Sequence, residues 1–373
     1  MRIVVGGGLA GSILVWNLLK CGERVKLLDS SLHHSASMIS GGIICPIIGK
    51  HMSKPWIWDQ ALPKAIELYD SISTELHENK FLEAIPVVKI PETEEEIDNL
   101  QKKYQEESFK EIFSSSLDNY LTENVNTSFG NYFLHSGYVL RTKLLLKSLK
   151  EYFKEHDKLI DGSWNYDKSI ENQDILTDNN ISQVIFCEGP NVVKNPYFNS
   201  LPFSPTKGEI ITFESDNNNI FPHDSVLLSF SKWCIAEKKE KKTQFTIGST
   251  YDRSSFELIP SENAKEELIS SIKEYIPNLN NINILNHTVG IRPTTKHHRP
   301  IIGFHPYYPK YGIFNGFGSH GSLWIPYFAE IFAKNIISPS NSIPKEVNLE
   351  KYYLPKKKKK TRKEKKIIKN KSN

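Results

Sequence analysis

The chain has 373 residues, of which 39% are hydrophobic and 24% charged, so it can bury a substantial core and is long enough for two domains. Its formal charge of +4 is unevenly placed. Residues 356–373 hold eleven of the 47 Lys/Arg and a single acid, Glu364, leaving a mildly acidic body of 36 basic and 42 acidic residues. The four cysteines (Cys21, Cys45, Cys187, Cys234) show no paired spacing, which argues against a disulfide framework or a structural zinc site and fits a reducing, cytoplasmic setting.

Ile3 to Leu19 is almost entirely apolar or glycine. It lacks the charged leader and small-residue cleavage site of a signal peptide, and its glycines have their own register. No other stretch approaches the roughly 20 apolar residues that span a bilayer. Ile3-Val4-Val5 reads as a buried parallel strand, and Gly6-Gly7-Gly8-Leu9-Ala10-Gly11 as the turn that follows it. Ala10, Ile13, Leu14 and Leu18 then fall at helical spacing before a second strand, Val25 to Asp29. Gly6 permits a tight turn, Gly8 lets the backbone approach a pyrophosphate, and Gly11 lets helix and strand pack closely. The free N–H groups and positive end of the helix suit phosphate. Asp29, 18 residues past Gly11, stands where an acid accepts hydrogen bonds from an adenosine ribose and repels a 2′-phosphate. These residues bind a dinucleotide but do not separate FAD from NAD.

Further along, Pro91 to Phe113 is an acidic run expected to form a surface helical insertion. Glu209 to Phe213, Val226 to Phe230 and Gln244 to Gly248 are strand-like, with Lys238 to Lys242 a polar turn. Ser261 can cap a helix that carries Ala264, Leu268, Ile269, Ile272 and Ile276 on one face. A second glycine cluster follows: Gly290-Ile291-Arg292-Pro293, then Pro300-Ile301-Ile302-Gly303, then Asn315-Gly316-Phe317-Gly318-Ser319-His320-Gly321. Ile313-Phe314 reads as a strand, 316–321 as a turn and Leu323 onward as a helix, with Pro326 tolerable only in its first turn. Another glycine-led helix start so far downstream suits the pyrimidine edge of a flavin and has no place in a simple NAD dehydrogenase.

These motifs, with Ser40-Gly41-Gly42-Ile43 before Pro46, resemble the FAD-dependent amino acid and amine oxidases, the family of D-amino acid oxidase, glycine oxidase and sarcosine oxidase. Weaker agreement covers Gly137-Tyr138-Val139, Cys187 with Gly189, Lys207-Gly208-Glu209 and Gly248-Ser249-Thr250. The stretch from Gly42 to Lys50, with Trp56 and Leu62-Pro63, resembles a poorly characterised bacterial subgroup. The resemblance implies an α/β fold in which a Rossmann-type FAD domain (1–60, 137–200 and 290–340) interleaves with an α+β antiparallel-sheet substrate domain (61–136 and 201–289), followed by a basic disordered tail, 341–373. It also implies non-covalent FAD, since no cysteine lies near Phe317, and oxidation of the CH–NH bond of a small amino acid or N-substituted glycine by hydride transfer to flavin N5. Electrons would pass on to O₂ or another acceptor.

The cofactor-binding residues implied are Gly6, Gly8, Leu9, Ala10, Gly11, Asp29, Ser40, Gly41, Gly42, Ile43, Gly189, Gly316, Phe317, Gly318, His320 and Gly321. No side-chain nucleophile is required, because the cofactor carries the redox chemistry. Arg292 matches the arginine that grips the substrate carboxylate in D-amino acid oxidase and glycine oxidase; the alternative is an ion pair fixing the loop before Pro293. Lys50, His51 and Trp56 either line the face of the ring or serve ordinary packing and solvation. His320 either donates to the flavin or completes a turn. The adjacent pairs His33-His34 and His297-His298 lack the spacing for a metal, and Cys187 reads as a small core residue. The tail can attract RNA or an anionic surface. With the tRNA wobble-uridine oxidases as distant relatives, it motivates a second reading as a tRNA-modifying flavoenzyme, and a third is a non-catalytic flavin-binding scaffold.

Overall fold

The computed structural model describes residues 1–30, 35–113, 125–166, 181–216, 221 and 224–354. β1 (Arg2–Val5) feeds α1 (Leu9–Lys20), which returns the chain to β2 (Val25–Asp29). β1 lies parallel between β2 and β7 (Gln183–Phe186). β6 (Leu159–Asp161) extends one side of this sheet and β14 (Tyr311–Asn315) the other, both parallel to their neighbours. β13 (Ile301–Phe304) ends it antiparallel, giving the order β13-β14-β7-β1-β2-β6.

These strands are short and β-branched because both faces are covered. Val4, Leu27 and Ile185 point into a core with α1, α3 (Trp58–Glu75), α5 (Thr142–Glu155) and α7 (Gly321–Ile337). Ile3, Val5 and Phe186 point the other way, onto Val192, Phe198 and Leu349. α1 is sandwiched between sheet and helices, which accounts for its being apolar almost all round.

The second sheet has eight strands: β12 (Asn283–Arg292), β8 (Thr206–Ser215), β11 (Thr243–Gly248), β10 (Trp233–Lys238), β9 (Ser225–Ser229), β4 (Leu82–Lys89), β5 (Tyr132–Leu140) and β3 (Ile43–Ile44), in that order. Every pair is antiparallel except β4 with β9. Side chains alternate as the two-residue period requires. Ile211, Phe213, Val226, Leu228, Cys234, Phe245 and Ile247 pack beneath α6 (Glu262–Tyr275), through its Leu268 and Ile272. Ser261 caps α6 as its sequence suggests, accepting from the Ala264 amide at 3.3 Å. The acidic run contains α4 (Glu94–Gln105), whose Leu100 is fully buried.

Four sequence expectations change. Gly137-Tyr138-Val139 was assigned with the nucleotide-binding segments, yet β5 runs from Tyr132 through Leu140 in the eight-stranded sheet, paired with β4 and β3. Gly290-Ile291-Arg292 likewise ends a strand of that sheet. The tail begins later than 341: Ile343, Val347 and Leu349 are buried, and the Val347 carbonyl accepts from Ile302 N–H at 2.9 Å. Residues 355–373 lie outside the described residues, as do His33-His34. Finally, α7 starts at Gly321, so Pro326 falls in its second turn. The missing Pro326 N–H would have bonded Ser322 C=O; the buried Tyr69 hydroxyl donates to that carbonyl instead, at 3.0 Å. Among the described residues no helix is long and apolar enough to cross a membrane.

Candidate active site

A cavity of ≈ 1030 Å³ lies between the two sheets, and both glycine turns open onto it. At one end β1 stops at Val5. Gly6 takes φ +104°, and a Cβ there would stand 2.6 Å from the Cys187 carbonyl oxygen. Gly11 faces inward, where a Cβ would overlap the Gly6 carbonyl, so its service is close helix–strand packing rather than cavity contact. Gly8, Leu9 and Ala10 line the cavity. Gly8 is the N-cap of α1 and brings no side chain; Leu9 N–H donates to Ser37 Oγ at 3.1 Å, and with no acid in the first turn the amides of Ala10 and Gly11 have no acceptor four residues back within the helix.

Asp29 is 8% exposed and lines the same end. Its Oδ1 accepts from Gly7 N–H at 2.9 Å, and its Oδ2 from Lys150 Nζ at 3.3 Å. The carboxylate therefore ties the glycine turn to β2. It also makes Gly7 obligatory, since a Cβ would come 2.5 Å from the Asp29 carboxyl carbon. Ser40, Gly41, Gly42 and Ile43 pass along the cavity wall, with Gly42 at φ +66°. Gly189, at φ +57°, follows β7 there.

Asn315 joins the two turns. Its Nδ2 donates to the Gly189 carbonyl at 2.9 Å, and its Oδ1 accepts from Gly316 N–H at 2.8 Å. Phe317, Gly318, His320 and Gly321 reach the cavity. Gly316 does not; it packs at φ +88°, with a Cβ position 2.8 Å from Thr295 Cγ2. α7 also begins without a capping side chain or first-turn acid. The His320 ring stacks on Trp324 with centroids 4.5 Å apart. Burial, reinforced by the charges of Arg299 and His298, pulls its pKa down to about 4, so the imidazole is neutral near pH 7.

Arg292 leaves β12 and lies across Gly208, where a Cβ would collide with its guanidinium. Nη1 donates to the Thr250 carbonyl at 3.3 Å, Nη2 donates to Ser249 Oγ, and the guanidinium carbon stands 4.5 Å from the Tyr251 ring centre. Among the described residues no carboxylate pairs with it. Burial lowers its pKa from the ordinary arginine value. Among the described residues the alternative of a loop-fixing ion pair thus has no acidic partner; Nη1 also approaches the Lys207 carbonyl at 3.5 Å, and Arg292 lines the cavity.

Three expected residues are elsewhere. Lys50 and His51 are exposed in the turn past Gly49, and neither lines the cavity. Trp56 packs against α7, stacked on Phe328 with centroids 5.7 Å apart and covered by Arg299 at 4.3 Å. Their proximity in sequence to Gly42 misled, because the chain turns away at Gly49 (φ +65°). Cys187 is buried, its thiol pushed up chiefly by burial, consistent with a core role.

The cavity wall also holds Ser249, from the weaker motif Gly248-Ser249-Thr250, and Trp233, Tyr251, Lys89 and Glu188, which motif matching missed. Trp233 closes the space over Gly41 and Gly248: a Cβ on either glycine would meet its indole at 2.5 and 2.7 Å. The carboxyl of Glu188 is raised by burial and held by Tyr166 and by Asn195 Nδ2 at 2.8 Å. Lys89 was the detectable one, a lone charge inside the apolar run Ile85 to Ile90.

This wall fits a flavin dinucleotide on structural grounds alone. Two helix starts without an acid in the first turn face one cavity, and Gly6, Gly7, Gly8, Gly41 and Gly42 leave the wall between them without side chains. The sequence profile of the FAD dependent oxidoreductase family matches residues 2–335. A glycine oxidase from Pseudomonas putida is 25% identical over 150 residues, which cover 39% of this chain and 40% of that protein. The match thus spans about two fifths of the curated relative. The fold resembles a glycine oxidase from Geobacillus kaustophilus (TM-score 0.73, 16% identity, 92% of this chain and 95% of that one). It also resembles an iminodiacetate oxidase from a Chelativorans species (TM-score 0.71, 17% identity, 92% and 97%). With the profile covering most of its length, the chain belongs to the FAD-dependent oxidoreductase family of the amino acid and amine oxidases, and its cofactor is FAD.

Proposed function

We propose that the protein oxidises the CH–NH bond of a small amino acid or N-substituted glycine, with the substrate carboxylate held by Arg292. The observation that carries this is the cavity-lining guanidinium without a carboxylate partner among the described residues. Burying an arginine in this way costs free energy unless an anion arrives to share it, and a planar fork matches a carboxylate through two parallel hydrogen bonds. Similarity to glycine oxidase and iminodiacetate oxidase, whose names both specify amino acids with a carboxylate beside the nitrogen, points the same way.

When bound, the flavin supplies the two-electron oxidant, and the imine product hydrolyses in water. The chain's residues bind and orient. Gly8 and Ala10, with the start of α1, would hold the pyrophosphate, and Asp29 the adenosine ribose; Gly318 to Gly321 and the start of α7 would face the pyrimidine edge. Tyr251 stacks on the Arg292 guanidinium and fixes its plane, while Ser249 Oγ and the Thr250 carbonyl take up donors that point away from the substrate. Trp233, Ile210 and Leu227 give the chemistry an apolar wall that keeps water away from the reacting carbon. His320, neutral near pH 7, offers one N–H without adding charge.

The test is anaerobic mixing of the FAD-loaded protein with glycine, sarcosine, proline and a panel of D-amino acids. Bleaching of the visible flavin band by at least one of them is expected. A protein that takes up no FAD, or whose flavin no amine bleaches, would end this reading.

A further inference from the structure

Besides Arg292 the cavity is lined by Lys89, Lys194 and Lys232; Lys232 pairs with Glu267, Lys194 is exposed, and Lys89 has the strangest position. It is 4% exposed, lines the cavity, and its ammonium takes part in no hydrogen bond or ion pair among the described residues. A buried lysine without a partner is rare, because desolvation of the ammonium is not offset. Glu92 and Glu96 act on it only from a distance, and the nearby Cys45 thiol is kept protonated by burial.

Strand register places it relative to Arg292. Lys89 pairs with Ser229, Ser229 with Trp233, and Trp233 with Gly248, in one row across β4, β9, β10 and β11. Period-two alternation keeps this row on the cavity side, since Val88, Leu228 and Cys234 point to the opposite core. Three strand spacings separate Lys89 from Gly248, roughly 14 Å of backbone. Arg292 reaches the Gly248 end by its bond to Ser249, and Lys89 lines the cavity at the other end of the row. Between them stand the Trp233 ring, leaning toward Gly248 and Gly41, and the small Ser229. Two unpaired cations thus face one cavity across a mostly apolar floor.

We infer that Lys89 receives a second anionic group, making the preferred substrate an amine with two carboxylates, one at Arg292 and one at Lys89. This rests on the amine-oxidation reading of the same site and narrows it to a substrate class. The distal carboxylate can sit on the amino acid side chain or on the nitrogen substituent; both satisfy the same ammonium.

The experiment titrates the FAD-loaded protein with non-oxidisable acids, succinate and glutarate against acetate and butyrate, and follows perturbation of the flavin spectrum. Lys89→Met keeps length and volume while removing charge and an unsatisfied donor, so it should fold. In the parent, dicarboxylates should bind at least about tenfold more tightly than monocarboxylates, the scale of one buried charge-assisted hydrogen bond. Lys89→Met should erase that preference and Lys89→Arg should retain much of it. Turnover should follow, with the KM for aspartate and iminodiacetate rising in Lys89→Met relative to that for glycine and sarcosine. Equal weakening of both classes would mean that Lys89 serves the flavin or the fold, and no change would mean that it faces no ligand; either overturns the inference. A parent that prefers dicarboxylates through Lys89 yet oxidises none of the amines would sink the amine reading alone.

Discussion

The two ends of the cavity are built from different materials. At the glycine-turn end the wall comes largely from backbone: Gly6 to Ala10, Gly41 to Gly42 and the start of α7, with one carboxylate, Asp29, fastening the turn through Gly7 N–H. At the sheet end it comes from side chains on separate strands, with Arg292 and Lys89 left without acidic partners among the described residues. Backbone builds the first end, and side chains brought together by strand register build the second. At Gly6, Gly7 and Gly42 an added Cβ would strike the chain at 2.6 Å or less; on the function proposed above, substitutions at the sheet end fold and report in specificity.

The sharpest way to break that contrast is at Gly11. A single methyl there overlaps the Gly6 carbonyl and comes within 3.3 Å of Cys187 Cβ. Gly11→Ala should cost about 3 kcal/mol or more and leave protein depleted of flavin. Flavin content after purification and the thermal midpoint read this directly. A variant with full FAD occupancy would show that the nucleotide end yields as easily as the sheet end.

Arg292→Met should do the opposite, folding well and failing in binding. Loss of a bidentate charge-assisted pair predicts a fall in kcat/KM of about a hundredfold or more, some 3 kcal/mol, with FAD content intact. Arg292→Lys should fall between, because a point charge lacks the planar fork. A methionine variant with unchanged KM for amino acids would remove Arg292 from the substrate site.

The asymmetry also explains what the sequence revealed. Gly6, Gly8, Gly11 and Asp29 lie within 29 residues, so the strand, turn, helix and acid could be read as one local unit. The second turn could be read likewise from Asn315 to Gly321. The sheet end draws Lys89, Ser229, Trp233 and Gly248 from four strands, and only register brings them together. Arg292, Gly208, Gly248 and Ser249 could be found there, because they sit inside family motifs; Lys89, Ser229 and Trp233 could not. Lys50, His51 and Trp56 failed for the converse reason: closeness in sequence to Gly42 stood in for closeness in space, and the turn at Gly49 broke the link. The tail boundary erred because Ile343, Val347 and Leu349 are sparse apolar anchors in a polar stretch, and their partners lie in β13 and its surroundings.

His320 sits at the seam between the ends and gives a pH test of smaller size. Its folded pKa of about 4 lies below the ordinary 6.5. Between those values the unfolded chain binds a proton that the folded protein refuses, so stability falls as pH drops through that window. From pH 7 to pH 5 the loss should be about 2 kcal/mol from this group. His320→Gln should flatten that part of the profile, measured by urea unfolding of the FAD-loaded protein at both pH values. Arg299 and His298 are the charged neighbours, and Arg299→Gln should raise the imidazole pKa and shrink the slope. An unchanged slope in His320→Gln would mean that the ring meets water and is not held neutral.

The smallest effect concerns how α7 is delivered to the cavity with a proline in its second turn. Tyr69 Oη replaces the donor that Pro326 lacks, bonding Ser322 C=O at 3.0 Å between α3 and α7. Tyr69→Phe should therefore cost about 1 kcal/mol, since a buried carbonyl is left short of a donor. In a Pro326→Ala background the helix supplies its own N–H to Ser322, and the same tyrosine substitution should cost several tenths less. A double-mutant cycle by urea unfolding measures the difference. Coupling of the expected sign would show that the tyrosine compensates for the proline. Strict additivity would mean that Tyr69 is held for its ring packing, with the hydroxyl incidental to the placement of Gly321 and Ser322 on the cavity wall.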